Sequence, residues 1–245
     1  MDETTGRRNL ESANPADPPF SFADVAGRYD VLNRLMSLGC DRRWRRIAAD
    51  ALNLPAGGRA LDVGAGSGDM ALALLRRWPG STVAGIEPVA EMMRVGRRKP
   101  AAGRVGWTQG DGLRLPFPDG QFDGVVSAFL LRNMPDVSGA LAEQYRVARP
   151  GGRVVCLEMT WPQTPGFRKL FRFYFARLAP PIMGILSGQP AAYAYLPRSV
   201  QQFLAPEELK AAMERVGLRN VHYRMLMLGT VALHVGERGW QDNNG

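Results

Sequence analysis

The stretch "LDVGAGSGDM", Leu61–Met70, sets glycines at 64, 66 and 68 between a short apolar run and the helical "ALALLRRW". Glycines spaced this closely let a ligand lie against bare backbone. A dinucleotide fingerprint requires G-x-G-x-x-G, and Asp69 stands where its third glycine belongs. A Walker loop requires Lys-Ser or Lys-Thr behind the glycines, and neither follows here. Asp62 and Asp69 flank the loop, and two carboxylates repel a pyrophosphate at a helix start. They suit a ligand carrying ammonium and sulfonium charge, and S-adenosylmethionine is that ligand.

Two further acids point the same way. Glu87 ends the next apolar run, where a doubly wound fold places a carboxylate to accept from ribose hydroxyls. Asp111, in "GDG" (Gly110–Gly112), ends the third run, within reach of an adenine amino group. The candidate cofactor-binding set is therefore Asp62, Gly64, Gly66, Ser67, Gly68, Glu87, Asp111 and Gly112. Each acid alone reads equally well as a helix cap or turn residue. Three acids at the C-terminal ends of three successive parallel strands coincide with the edge where open α/β sheets bind ligands.

These residues need a frame to hold them. "RALDV", "STVAGIE", "RVGWTQGD", "FDGVVSAF" and "GRVVCLEM" read as strands, and helices are expected at Asp69–Trp78, Pro88–Lys99 and "VSGALAEQYRVA", with "RPGG" as a turn. Strands alternating with helices imply right-handed βαβ units and a parallel sheet buried on both faces. Upstream, "FADVAGRYDVLNRLMSLGCDRRWRRIAADAL" has helical spacing, with Val25, Tyr29, Leu32, Leu35 and Met36 on one side and a stop at Gly39. Downstream, an aromatic-rich insert over about 160–200 precedes the helix "APEELKAAMERVG" and two strands, "LRNVHYRML" and "LGTVALHVG", joined near Leu228–Gly229. The fold class is α/β: a Rossmann-like, seven-stranded, mostly parallel sheet with a helical N-terminal cap. Residues 1–21 read as a polar, proline-rich lead-in, 22–238 as one domain, and 239–245 as a tail.

Composition narrows the function classes. The chain has 245 residues, 45% hydrophobic, with a formal net charge of +8, which leaves a polyanionic surface open as a partner. Cys40 and Cys156 are far apart and suggest neither a disulfide scaffold nor a zinc site. The N-terminal stretch lacks the apolar core of a secretory signal, and "FYFARLAPPIMGILSGQPAAYAYL" is interrupted by Arg177, Pro180, Pro181 and Pro190. A cytoplasmic protein is the expectation.

With these residues placed, the chain resembles the UbiE/COQ5 family of quinone-ring C-methyltransferases from about Phe22 to Gly236. The likeness rests on "YDVLNRLMSLGCDRRWRR", "LDVGAGSGDMA", "GDGLRLPFPDGQFD", "LLRNMPD", "ALAEQYRVARPGGRVVCLEM", "YAYLPRSVQQF" and "GTVALHVG". The glycine loop indicates only a class I methyltransferase; the N-terminal block, Leu-Arg-Asn and "YLPRSV" are more specific. Leu130 stands where the family has glycine, Glu87 where it mostly has aspartate, and Phe203-Leu204 where Phe-Pro is common. The resemblance implies methyl transfer from S-adenosylmethionine to a ring carbon of a prenylated hydroquinone, demethylmenaquinol or a ubiquinol precursor, through a phenolate that must be stabilised. A homodimer is an open possibility, and a nucleic-acid substrate is not expected, since no RNA-binding module or Asn-Pro-Pro-Tyr-type motif is present.

Within that resemblance Arg132 is the candidate to hold the oxyanion or polarise a water. Asn133 is the candidate to orient the ring hydroxyl. The structural alternative pairs Arg132 with Asp136 and makes Asn133 a helix cap. Tyr29, Asp30 and Asn33 share a helical face and resemble the family's cap over the methyl donor, which adds Tyr29 to the cofactor-binding candidates, though they read equally well as core and solvated edge. His222 and His234 lie in C-terminal strands, and a structural histidine is expected at 234. The insert carries Phe167, Leu170, Phe171, Phe173, Tyr174, Phe175, Ile182, Met183, Ile185 and Leu186 among Arg168, Lys169, Arg172 and Arg177. It reads either as a pocket lid or as a peripheral contact on the inner face of the cytoplasmic membrane. Two other classes stay open: a methyltransferase for another phenol or a phospholipid amine, and a non-catalytic partner of a biosynthetic complex.

Overall fold

The computed structural model describes residues 21–187 and 190–240. Most of the expected lead-in and tail lies outside the described residues. Three helices precede the sheet: α1 (Phe22–Val25), α2 (Tyr29–Met36) and α3 (Asp41–Leu52). The single helix expected up to Gly39 is thus two pieces. The chain turns at 26–28, where Gly27 lowers the cost of leaving the helix. Leu32 is buried, whereas Leu35, expected beside it on the inner face, is 48% exposed.

The alternating part then runs β1 (Arg59–Val63), α4 (Asp69–Arg77), β2 (Thr82–Glu87), α5 (Ala90–Arg97), β3 (Val105–Gln109), β4 (Phe122–Ala128), α6 (Val137–Val147) and β5 (Ala148–Met159). The insert forms α7 (Pro165–Phe173), a π-helical turn (Tyr174–Leu178), α8 (Ala179–Ser187) and α9 (Pro190–Gln202). The chain ends with α10 (Pro206–Arg215), β6 (Leu218–Leu226), a tight turn at Met227–Gly229 and β7 (Val231–Arg238). One expectation changes: "RPGG" is not a free turn but the start of β5. It enters the sheet as an irregularity opposite Phe122/Gly124, with Gly151 at φ +75°.

The seven strands are ordered β3-β2-β1-β4-β5-β7-β6. The first five are mutually parallel, and β7 pairs antiparallel with both β5 and β6. The order reverses between β1 and β4, so the loops leaving those strands, the glycine loop and the segment from Phe129 to Asn133, stand side by side. Alternating residues supply two cores. On one face Val126, Val155 and Leu157 pack with α3 and α4 through Trp44, Leu52 and Leu74. On the other, Val125, Val154 and Cys156 pack with α6 and α10 through Leu141, Leu209 and Met213. No helix among the described residues is long and apolar enough to cross a membrane.

Candidate active site at the sheet's switch point

The glycine loop needs its glycines for conformation and for clearance. Gly64, Gly66 and Gly68 have φ of +69°, +56° and +80°, a region that costs an L side chain about 1–2 kcal/mol. A Cβ on Gly68 would stand 2.5 Å from the Trp107 ring, and one on Gly64 2.5 Å from Leu130 Cδ1. Gly64 and Ala65 both donate to the Ile86 carbonyl at 2.9 Å, tying the loop to β2. Gly112 is buried, and a Cβ placed there would lie 3.4 Å from both Val63 and Met134, a close but ordinary contact, so neither clearance nor conformation demands its glycine.

The acids expected to face a cofactor do gather at the ends of β1, β2 and β3, but each does something different. Asp62 is buried, and its Oδ2 accepts from Ala71 N–H at 2.9 Å while its Oδ1 has no hydrogen-bond partner among the described residues. Burial pushes this carboxyl up to about 7 against the pull of Arg45. An orphaned buried carboxylate oxygen beneath a glycine loop fits a cationic ligand group. Glu87 accepts from Gly66 N–H at 2.8 Å and from Val89 N–H at 3.1 Å, bridging the loop and the start of α5. Burial raises its carboxyl above the ordinary value, and those two backbone donors oppose the rise. Asp111 is exposed and holds its own turn, accepting from Leu113 N–H at 2.9 Å.

Asp69 and Ser67 depart from expectation. Asp69 does not offer free charge to a ligand, because Lys99 Nζ lies 2.6 Å from it. Burial pushes the Asp69 carboxyl up, yet the hydrogen bond and charge of Lys99 outweigh it and hold the group below its usual value. The same ammonium reaches Asp30 at 2.6 Å and Ser67 Oγ at 3.0 Å, and the Ser67 hydroxyl also donates to Asp30. Ser67 and Asp30 therefore bolt α2 to the glycine loop. The electrostatic case against a pyrophosphate consequently rests on Asp62 and Glu87.

Beside this edge lies a cavity of ≈ 380 Å³ between α2, α3, the insert and the ends of β4 and β5. Its walls are mostly apolar: Met36, Trp44, Phe129, Met159, Phe171 and Tyr174. Trp44 meets Phe129 edge-on at 6.2 Å, and Phe171 stacks on Phe175 at 5.0 Å. Tyr29, Asn33, Asp41, Arg45, Arg132 and Thr230 bring polar atoms to it. Arg45 and Arg132 approach the Phe129 ring at 5.3 and 5.8 Å, so two guanidinium groups share one aromatic wall.

Arg132 pairs with Glu158 rather than with Asp136. Its Nη1 donates to Glu158 Oε2 and to the Phe129 carbonyl, both at 2.9 Å. Glu158 is only 2% exposed, and burial raises its carboxyl more than Arg132 lowers it. Arg132 Nε has no partner among the described residues. The cap of α6 is Asp136, whose carboxylate accepts from Gly139 N–H at 2.9 Å, so Asn133 is not the cap. Asn133 does not line the cavity; its Nδ2 donates to the same Phe129 carbonyl at 3.4 Å. Leu130 packs on Gly64 and Gly112 at an ordinary φ of −96° that needs no glycine.

His234 is structural, as expected: Nε2 lies 2.9 Å from the Pro206 carbonyl, and burial lowers the ring to about 4. Neither it nor the exposed His222 lines the cavity. Sequence reading missed Asp41, Trp44, Arg45, Lys99 and Glu158. Asp41, Trp44 and Arg45 at i, i+3 and i+4 carried a legible signal, one helix face presenting an acid, an indole and a base. Glu158 lies one residue before the end of an apolar strand, much as Glu87 ends one.

Comparisons with known proteins bear on the family and the fold. The model of the ubiE/COQ5 methyltransferase family matches residues 20–238. A demethylmenaquinone methyltransferase of Thermus thermophilus is 47% identical over 89% of this chain and 99% of its own length. A ubiquinone/menaquinone biosynthesis C-methyltransferase UbiE of Geobacter sulfurreducens is 44% identical over 89% and 87%. Among solved structures, a putative S-adenosyl-L-methionine-dependent methyltransferase of Methanococcus maripaludis is similar in fold. Its TM-score is 0.64 at 17% identity, covering 93% of this chain and 98% of that one. Human N-acetylserotonin methyltransferase in complex with SAM gives a TM-score of 0.58 at 19% identity over 88% and 57%.

Proposed function

The chain belongs to the ubiE/COQ5 methyltransferase family, and from that membership we propose that it methylates a ring carbon of a prenylated hydroquinone, demethylmenaquinol or a ubiquinol precursor, using S-adenosylmethionine. The observation that carries the acceptor class is the apolar ≈ 380 Å³ cavity beside the switch point, aromatic-walled and faced by two arginines. A flat apolar ring fits such walls, and a developing phenolate fits such charges.

S-adenosylmethionine, when bound, supplies a methyl group on a sulfonium centre. The residues present fit it: Asp62 offers an unpartnered buried oxygen to the ammonium, and the loop of Gly64, Gly66 and Gly68 leaves backbone bare. Glu87 and Asp111 would accept from the ribose and the adenine amino group, with Glu87 also fixing the loop. On the acceptor side Arg132 and Arg45 stabilise negative charge on the ring oxygen inside a site of low dielectric. Asn133 is a positioning residue, because it shares the Phe129 carbonyl with Arg132. Trp44, Phe129 and Phe171 hold the ring plane and exclude water. An acceptor with a polyprenyl tail resides in a bilayer, so the protein meets it as a peripheral partner of that surface.

One observation favours a second reading. Leu130, where the family has glycine, packs against the glycine loop at Gly64, and that departure leaves a smaller phenol or a phospholipid amine as the alternative acceptor. Incubation with methyl-labelled S-adenosylmethionine and a panel of reduced demethylmenaquinol, a ubiquinol precursor, a simple phenol and phosphatidylethanolamine separates the two. A label fixed to a quinol ring carbon supports the proposal, and an O- or N-methylated product from the other acceptors overturns it.

A further inference from the structure

Three large aliphatic side chains sit where a folded chain in water has two reasons not to put them. Leu38, Met227 and Leu228 have φ of +50°, +47° and +54°, and they are 76%, 43% and 72% exposed. Left-handed backbone disfavours a branched or bulky residue, and exposure forgoes burial of its apolar surface. Glycines adjoin both turns, Gly39 and Gly229, also at positive φ, so the local chain had the permissive residue and still carries leucine and methionine beside it. The remaining non-glycine residues at positive φ among those described follow a different logic: Asn53 and Asn220 are tolerant types, Ala101 is small, and Phe129 walls the cavity. Strained, exposed apolar residues of this kind point to a surface that completes itself against something else.

Their position says what that is. Leu38 and Met227 both line the acceptor cavity, and so does Leu170 of α7, itself 63% exposed. The turn after α2, the turn between β6 and β7 and helix α7 therefore surround one opening. Next to it Phe173, 57% exposed, shares a groove with Lys169, Arg172 and Arg177. Between Met159 and Glu207 the sequence has no acidic residue and five basic ones, Arg168, Lys169, Arg172, Arg177 and Arg198. An apolar rim bordered by uncompensated positive charge matches an anionic lipid surface, with side chains in the acyl boundary and arginines at headgroup level.

We propose that the mouth of the acceptor cavity is a bilayer-docking rim whose insertion points are the two strained turns, at Leu38 and at Met227–Leu228, so that a lipid-tailed acceptor passes from membrane to cavity without crossing water. This rests on the proposed lipid-tailed acceptor and extends the contact beyond the insert to the cap and the β6–β7 turn.

The test uses the full chain with Leu38→Asn and Leu228→Asn, singly and together, since asparagine tolerates left-handed backbone and keeps both turns foldable. Co-sedimentation with vesicles of phosphatidylglycerol and phosphatidylethanolamine should show the wild type bound and the double variant weakened about tenfold or more. Affinity for S-adenosylmethionine, as a folding control, stays unchanged. In turnover assays Leu228→Asn loses activity on a vesicle-embedded long-tailed quinol and keeps it on a short-tailed, water-soluble one. Wild type that ignores anionic vesicles overturns the proposal. So do double-variant vesicle binding equal to wild type, and substitutions whose only effect is to dissolve a dimer of this chain. If no quinol of either tail length is methylated, the acceptor assignment fails by itself, and the vesicle result still decides the rim.

Discussion

The glycine loop is held mainly by backbone hydrogen bonds to Ile86, to Glu87 and, through Asp62, to the start of α4, with Ser67 adding a tie to Asp30 and Lys99. The cavity a few side chains away has walls drawn from α2, α3, the β4 and β5 ends, α7 and the β6–β7 turn, and most of its lining is apolar. One region is specified by backbone geometry, the other by the convergence of distant segments on a shared void. Arg132 and Glu158 stand at the seam, a buried pair beneath Phe129. Substitutions in the loop should therefore act on cofactor affinity and leave the acceptor untouched, whereas the seam should couple stability to activity.

The largest effect is expected at that seam. Arg132→Met leaves Glu158 buried without its cation, a loss of about 3–5 kcal/mol by urea denaturation near neutral pH. Adding Glu158→Gln should recover most of the stability and none of the turnover, because the cation facing the acceptor is still missing. A single variant of full stability would show that Arg132 is free for chemistry and that the pairing contributes little.

Next in size is Glu87→Ala, which removes the acceptor for Gly66 and Val89 N–H and a ribose acceptor together. S-adenosylmethionine affinity should fall about tenfold or more in titration calorimetry, with KM for the acceptor unchanged. A comparable rise in acceptor KM would dissolve the distinction between the regions.

In ligand affinity the smallest is a pH effect at Asp62, which also acts on stability. Its folded value of about 7 exceeds the ordinary 3.8, so the folded state holds a proton that the unfolded chain releases. Cofactor-free stability should decline as pH rises from about 4 to about 7 and level off above, and Asp62→Asn should flatten that slope. A cationic ligand group favours the ionised form, so affinity should rise by up to about tenfold from pH 6 to pH 8, with proton release on binding. Calorimetry in two buffers of different ionisation enthalpy measures that proton directly, and pH-independent binding would remove Asp62 from contact with the ligand's charge.

What was legible in the sequence follows the same division. The sheet and the glycine loop were readable because period-two apolar runs and left-handed glycines have local signatures. The role of Asp69 was misread because its partner, Lys99, is brought to it only by the packing of α5 on β2. The alternative partner expected for Arg132 was its sequence neighbour Asp136, but Glu158 comes from the next strand, and nothing in "LLRNMPD" names it. The aromatic insert was visible as composition; that Phe171 faces inward while Phe173 faces out depends on which face of α7 turns to the cavity, a tertiary fact. The turns at Gly39 and at Leu228–Gly229 were legible, but the positive φ of Leu38 and Leu228 was not, since leucine does not announce it.

The central claim is that cofactor and acceptor occupy separate, adjoining regions, with the ring of the acceptor in the aromatic cavity. A photoactivatable analogue of a prenylated quinol, cross-linked to the purified protein and mapped by peptide mass spectrometry, tests it most directly. The account predicts adducts on peptides carrying Trp44, Phe129, Phe171 or Tyr174, suppressed by excess demethylmenaquinol and not by S-adenosylhomocysteine. Adducts concentrated on the β3 and α5 side of the sheet, or displaced by S-adenosylhomocysteine alone, would contradict it.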